Sequence, residues 1–200
     1  MPQPIPRGRT INFDFRPPNV MQRPKLAPYI GAILMHWNEI ESHTGVFLAA
    51  LLGSEAQTVM NVFLALQTDG GRKSTIDTVT KLKLTENDLS RFQEIQKDIG
   101  SRYSERNKAV HGAWGISEQY PDDLLWYDPR ESVAAFPSLV EAQDHNARKT
   151  TFDELNKSIR IYTETDFKNI ISRFETTEET LKQFTRPFVQ PLFERLNKRP

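Results

Sequence analysis

Residues 104–115 read SERNKAVHGAWG and bring an arginine, an amide and an imidazole together within about a turn and a half of helix. Asn107 and His111 stand four apart and share a helix face, and the long Arg106 side chain reaches back toward them. A guanidinium can hold two phosphate oxygens and stabilise negative charge as it develops at phosphorus. An imidazole can take a proton from a 2′-hydroxyl or return one to a leaving oxygen. A helix C-terminus favours a protonated imidazole, which suits that role. Asn107 would orient the phosphate or the imidazole. Gly112 stands where a helix cap uses a left-handed residue, so the cluster is expected at an accessible helix end. One chain offers one such histidine, and two copies facing each other would offer both an acid and a base. The competing reading is a helix-end cap in which Arg106 pairs with an acid of the first helix.

The elements that must hold this cluster read as helices. PYIGAILMHWNEIESHTGVFLAALLG gathers Ile30, Ile33, Leu34, Trp37, Ile40, Thr44, Phe47, Leu48, Leu51 and Leu52 on one broad face, between a starting Pro28 and a stopping Gly53. Ser54 is expected to cap a second helix carrying Val59, Val62, Phe63 and Leu66. TDGGRKS reads as a break with Gly70-Gly71 as a turn, ahead of a short helix over 74–84. Thr85 caps a third long helix that runs to His111 on a stripe of Leu89, Phe92, Ile95, Ile99, Tyr103 and Val110. Arg106 falls on that stripe, where it is either aimed at a partner surface or in need of a buried acid. A last helix spans 164–185 with Phe167, Ile170, Ile171, Phe174, Leu181 and Phe184, and Pro187 and Pro191 predict an interrupted tail over 187–200.

Residues 113–160 change character. Trp114-Gly115-Ile116 and the LLWY run ending at Tyr127 read as strands around a YPDD turn at 120–123. A long excursion through Pro129 and Pro137 follows, then a strand over 158–162. Trp114 and Trp126 read as packing the hairpin onto the helices, with base stacking as the second reading. Residues 1–26 carry Pro2, Pro4, Pro6, Pro17, Pro18 and Pro24 and read as an extended arm. Either it is a disordered or surface-clamped tail, or, because Ile11, Phe13 and Phe15 alternate, it is a partner-binding arm. The expected organisation is therefore an arm over 1–26, a helical domain over 27–186 with the 113–160 insert, and a tail over 187–200.

Lys and Arg number 26, as do Asp and Glu, so the net charge is zero. That argues against a nucleic-acid coat protein while leaving room for a local basic site. The absence of cysteine rules out disulfides and thiolate metal sites and is compatible with a reducing compartment, so a cytoplasmic location is expected. His36, His43, His111 and His145 show no HExxH spacing, and neither GxxxxGK[ST] nor GxGxxG occurs, so no metal and no cofactor is expected. His36 and His43, seven apart, read as decorating one side of the first helix; His145 reads as solvated in QDHNARK, and ETTEET at 175–180 as a solvated face. No apolar run approaches the ~20 residues of a membrane span, and the opening stretch has no apolar core, so neither membrane association nor a secretory leader is expected.

An arginine, a polar residue directly after it and a histidine five positions beyond the arginine, at the end of a late helix, resemble the HEPN superfamily. SERNKAVHGAW is similar to the ERNxxxHGxW form of bacterial HEPN-like proteins, and MHWNEIES resembles their Trp- and acid-bearing first helix. The resemblance covers residues 27–185. It implies an all-α antiparallel helical bundle of HEPN type, with a small β-hairpin excursion before the last long helix, that forms a homodimer. It also implies a metal-independent endoribonuclease, with Arg106 and His111 as the catalytic pair and Asn107 as the supporting polar residue. Glu39 or Glu41 would orient Arg106, and Tyr103 and Trp114 complete the supporting set. RNA is then the implied substrate and an antitoxin a candidate partner, with toxin–antitoxin systems and phage defence as the implied settings. Relatives that have lost catalysis imply the alternative, a dimeric binding module for RNA, a nucleotide or a protein.

Overall fold

A computed structural model of the chain describes residues 1–6, 11–66, 68–141, 150 and 156–196. The protein is mostly helical. Its helices are α1 (Ala27–Leu52), α2 (Ala56–Ala65), α3 (Asp69–Lys83), α4 (Glu86–His111), α5 (Pro129–Glu141) and α6 (Glu164–Leu196). Its strands are β1 (Gln3–Pro4), β2 (Ala113–Ser117), β3 (Tyr120–Tyr127) and β4 (Arg160–Tyr162), joined in one antiparallel sheet of order β1-β4-β3-β2. The expected hairpin is thus part of a four-stranded sheet. The chain divides into two compact units, one of Met1–Leu34 and Ser104–Ser172, the other of Met35–Tyr103 and the chain from Arg173 on.

The first unit is built on the sheet. The proline-rich arm is folded into it: Gln3 and Pro4 pair with Ile161 and Arg160 as the edge strand. An edge is where a strand tolerates a residue without an N–H. Ile5 and Ile11 are buried with Leu125, Ile159 and Ile161 in a common apolar cluster. Asp14 exchanges both backbone hydrogen bonds with Ile116. The arm can lie that close because residue 115 is glycine; a Cβ there would stand 2.6 Å from the Asp14 carbonyl oxygen. Of the alternating apolar residues, Ile11 is buried and Phe15 packs edge-on against Tyr127 at 4.5 Å, while Phe13 is exposed. A 3₁₀ turn over Pro17–Gln22 follows, and Arg23 donates to the carbonyls of Asp123 and Ser117.

The hairpin turn lies at residues 118–119, and the YPDD run at 120–123 belongs to β3. Register explains this. Gly115 faces Leu125 and Ser117 faces Tyr120, so β3 carries the extra residues of a bulge, and Pro121 sits where no ladder N–H is required. The expected excursion after Tyr127 begins as helix α5, whose start is set by Asp128 accepting the Arg130 backbone N–H at 3.0 Å, with Pro129 in the first turn. His145 lies outside the described residues.

The second unit is helical, packed around phenylalanines. Phe47 of α1, Phe92 of α4 and Phe184 of α6 meet with ring centroids 5.2–5.8 Å apart, and all three are buried. Gly53 ends α1 in the left-handed region at φ 64°, while Ser54 N–H and Gly53 N–H return to the carbonyls of Ala49 and Ala50. Ser54 therefore closes α1; the cap position of α2 is Glu55, which makes no side-chain cap bond. Gly70-Gly71 is no turn. Thr68 caps α3 by accepting the Gly71 N–H at 3.1 Å, so both glycines lie in the first helical turn. Thr85 caps α4 through the Asp88 N–H, as its sequence context predicts.

The predicted tail is helix. α6 continues through Pro187 and Pro191 to Leu196. An interior proline costs roughly 3 kcal/mol in a helix. Burial of Leu192 with Leu48, Ala49, Val59 and Phe63, and packing of Phe188 on Phe47 at 5.4 Å, hold this end in the core and offset that cost. Apolar patterning misjudged a single position: Val62, counted with the apolar residues of the second helix, is 61% exposed.

Candidate functional site

α4 carries the chemistry-bearing cluster on its last turns, within the first unit. Arg106 and Asn107 are half-buried, and His111 is the exposed final residue of the helix. Arg106 Nη1 donates to Asn107 Oδ1 at 2.9 Å, so the amide orients the guanidinium. Arg106 Nε is buried and has no hydrogen-bond partner among the described residues. An unsatisfied buried donor on a cation is expensive, about 1–3 kcal/mol or more, and marks a group whose environment is incomplete.

The end of the helix is fixed by the hairpin. Trp114 and Trp126 are directly opposed across β2 and β3. Trp114 Nε1 donates to the Ala109 carbonyl at 3.0 Å, and Trp126 Nε1 donates to the Lys108 carbonyl at 2.8 Å. The Ala109 carbonyl lies in the last turn, beyond the reach of a further helical N–H, while the Lys108 carbonyl is shared between the Trp126 indole and the Gly112 N–H, which donates to it at 3.1 Å. Gly112 is not in the left-handed region, since among the described residues only Gly53 has a positive φ. Its reason for being glycine is contact: a Cβ at 112 would fall 1.6 Å from Trp126 Nε1. The glycine and tryptophan of HGAW thus anchor the helix end on which His111 sits.

Trp114 is buried against Tyr162 (5.0 Å, edge-on) and Phe167 (5.6 Å), with Tyr29 stacked on Phe167. Its faces are covered by protein, so the base-stacking reading fails for this residue. Burial, helped by the charges of Glu105 and Asp166, pushes the Tyr162 phenol up to about 12. Tyr162 was not legible as a neighbour of the motif. Glu105 stands within it in sequence, and Trp126, read as packing the hairpin onto the helices, is placed by strand register opposite Trp114.

The other expected supporting residues belong to the second unit. Glu41 is ion-paired with Arg72, which also donates to the Leu66 carbonyl at 3.0 Å. Tyr103 packs on Trp37 at 5.5 Å. Glu41 and Tyr103 both line a largely apolar pocket of about 320 Å³ with Trp37, Ile40, Phe63 and Arg72. Glu39 lies beside His43, with 3.8 Å between Oε2 and Nε2. His36 and His43 do share one side of α1. Glu178 of α6 faces both: His36 Nδ1 is 3.2 Å from Glu178 Oε2, and Glu39, His43 and Glu178 present ligand atoms within 4.8 Å of one another.

No helix among the described residues is long and apolar enough to cross a membrane. Comparison of the chain with protein-family models, with curated proteins and with solved structures finds no match.

Proposed function

We propose that the protein is a HEPN-type endoribonuclease acting as a homodimer, with Arg106, Asn107 and His111 as its catalytic set. The observation that carries this reading is the Arg106 guanidinium, held by Asn107 and bearing a buried unsatisfied Nε, on the same helix end as an exposed His111. In the reaction, the 2′-oxygen bonds to the adjacent phosphorus as its proton passes to one imidazole. The phosphorus–O5′ bond breaks, and a second imidazole from the other copy protonates the departing 5′-oxygen. The products are a 2′,3′-cyclic phosphate and a 5′-hydroxyl. Arg106 stabilises charge on the non-bridging oxygens, a task that a preoriented guanidinium performs best in a water-poor site. Cytoplasmic action on RNA, under an antitoxin or in phage defence, fits this chemistry.

The test is cleavage of a mixed RNA panel in EDTA by wild type, Arg106→Ala and His111→Ala, each checked for folding by circular dichroism. Cyclic phosphate ends produced by wild type and absent from both variants are expected. A folded dimer that binds RNA without cutting it would replace this reading with the binding module.

A further inference from the structure

We infer that Glu39, His43 and Glu178 form a binding site for a first-row divalent cation, of which zinc is the representative, on the α1–α6 face of the second unit. Glu39 and His43 are four apart on α1 and share its face, and Glu178 comes from α6. Their ligand atoms lie within 4.8 Å of one another, with Glu39 Oε2 and His43 Nε2 at 3.8 Å. Two donors of one tetrahedral zinc, each at about 2.0–2.2 Å from it, stand roughly 3.4 Å apart. A side-chain rotation at Glu39, whose side chain is 60% exposed, closes the difference for that pair, and the approach of Glu178 takes a matching rotation of its own carboxylate.

Three features point to a ligand here beyond a surface charge cluster. First, the His43 imidazole is only a third exposed, yet among the described residues it makes no hydrogen bond, and its Nε2 is turned toward a carboxylate at a distance too long to be one. Second, Glu178 is 14% exposed and is already oriented by His36 Nδ1 on Oε2. A ligating carboxylate is commonly held by a hydrogen bond from outside the coordination shell, the place that His36 takes here. Third, the donor set of one imidazole and two carboxylates is the borderline-hard mixture that suits zinc or manganese, and three protein ligands leave coordination positions open. His43 also borders a surface groove with Lys182, Gln183 and Arg186.

Lys182 is the internal competitor, since its ammonium is ion-paired with Glu178 Oε1. A bound cation competes with it for Glu178, so Lys182 weakens the site and keeps Glu178 compensated when no metal is bound. The site stands independently of the ribonuclease reading as proposed above, whose catalytic set is Arg106, Asn107 and His111.

The experiment is a zinc titration of the 200-residue chain, freed of metal by chelation and dialysis, followed by calorimetry and by the visible spectrum of the cobalt(II) form. Wild type is expected to bind one equivalent per chain and to gain thermal stability with zinc concentration. His43→Ala and the exposed-site variant Glu39→Gln, which leaves the core untouched, are expected to lose saturable binding. His36→Ala is expected to weaken it about tenfold or more. Lys182→Gln is expected to tighten it, and His111→Ala to leave it unchanged. The inference is overturned if wild type shows no saturable site, or if Glu39→Gln and His43→Ala bind zinc as wild type does.

Discussion

Trp114 and Trp126 oppose each other across the β2–β3 pair and donate their indole N–H groups to the consecutive carbonyls of Ala109 and Lys108. One strand pair therefore closes the last turn of the helix that bears Arg106, Asn107 and His111. The two bonds differ in surroundings: the Trp114 bond is buried, the Trp126 bond exposed. Losing a buried partner strands the acceptor, whereas water replaces an exposed one. Trp114→Phe is expected to cost about 1–3 kcal/mol and Trp126→Phe about 1 kcal/mol or less in denaturant unfolding. The reverse order would mean that these indoles do not cap the helix.

Gly112 tests the same contact from the other side. A Cβ there meets the Trp126 indole at 1.6 Å, and the indole is pinned by its hydrogen bond to Lys108. Gly112→Ala is expected to destabilise by about 1–3 kcal/mol in the wild-type background. In a Trp126→Ala background the penalty should vanish, so a double-mutant cycle should return a coupling of similar size. Additive effects would show that Gly112 serves another purpose. Gly45→Ala is the contrast. Its Cβ would meet the sulfur and methyl of Met60, the mobile end of an adaptable side chain, so a smaller cost is expected there.

The long helices were legible because their apolar spacing repeats over many residues, and α4 was bounded by a cap at Thr85 and by Gly112. The cluster on its last turn was legible for the same reason. What the sequence obscured were features decided by contacts distant in the chain. The proline-rich arm reads as an isolated tail until Ile161 and Arg160 are seen to offer it an edge. Pro187 and Pro191 read as breakers until Phe188 and Leu192 are seen anchored in the core. Gly70-Gly71 is the local exception: two glycines read as a turn, yet Thr68, three residues before Gly71, caps a helix there. Gly112 was expected to be left-handed, but what requires glycine is an indole fourteen residues on.

Tyr162 gives the first unit a defined response to alkali. Its folded phenol titrates near 12, against 10.0 when unperturbed, chiefly because it is buried and also because Glu105 and Asp166 repel a phenolate. Between those values the unfolded chain has released a proton that the folded chain retains. Stability therefore falls as pH rises through this window, by about 3 kcal/mol in total, and is fully present below pH 10.0. Spectrophotometric titration should resolve one late-ionising phenol that is missing from Tyr162→Phe. That variant should also lose less stability than wild type on the alkaline side. A phenol that titrates with the others would show that the Trp114–Tyr162–Phe167 cluster admits water.

Asn107 separates orientation from binding in the proposed reaction. Its Oδ1 holds Arg106 Nη1, so the amide acts on phosphate through the arginine. Arg106→Ala removes the charge that meets the transition state, and His111→Ala removes a proton carrier. Each is expected to lower cleavage by about 10²-fold or more. Asn107→Ala leaves the guanidinium present but free to rotate. Its loss should be smaller, roughly tenfold, and confined to the rate of the bound complex, because misplacing a catalytic group penalises the chemical step. Single-turnover cleavage and binding of an uncleavable oligonucleotide with 2′-deoxyribose at the cut site measure the two terms. The expected pattern is a slower rate with nearly unchanged affinity. Wild-type cleavage by Asn107→Ala, or a loss that appears wholly in affinity, would remove Asn107 from the role of positioning Arg106.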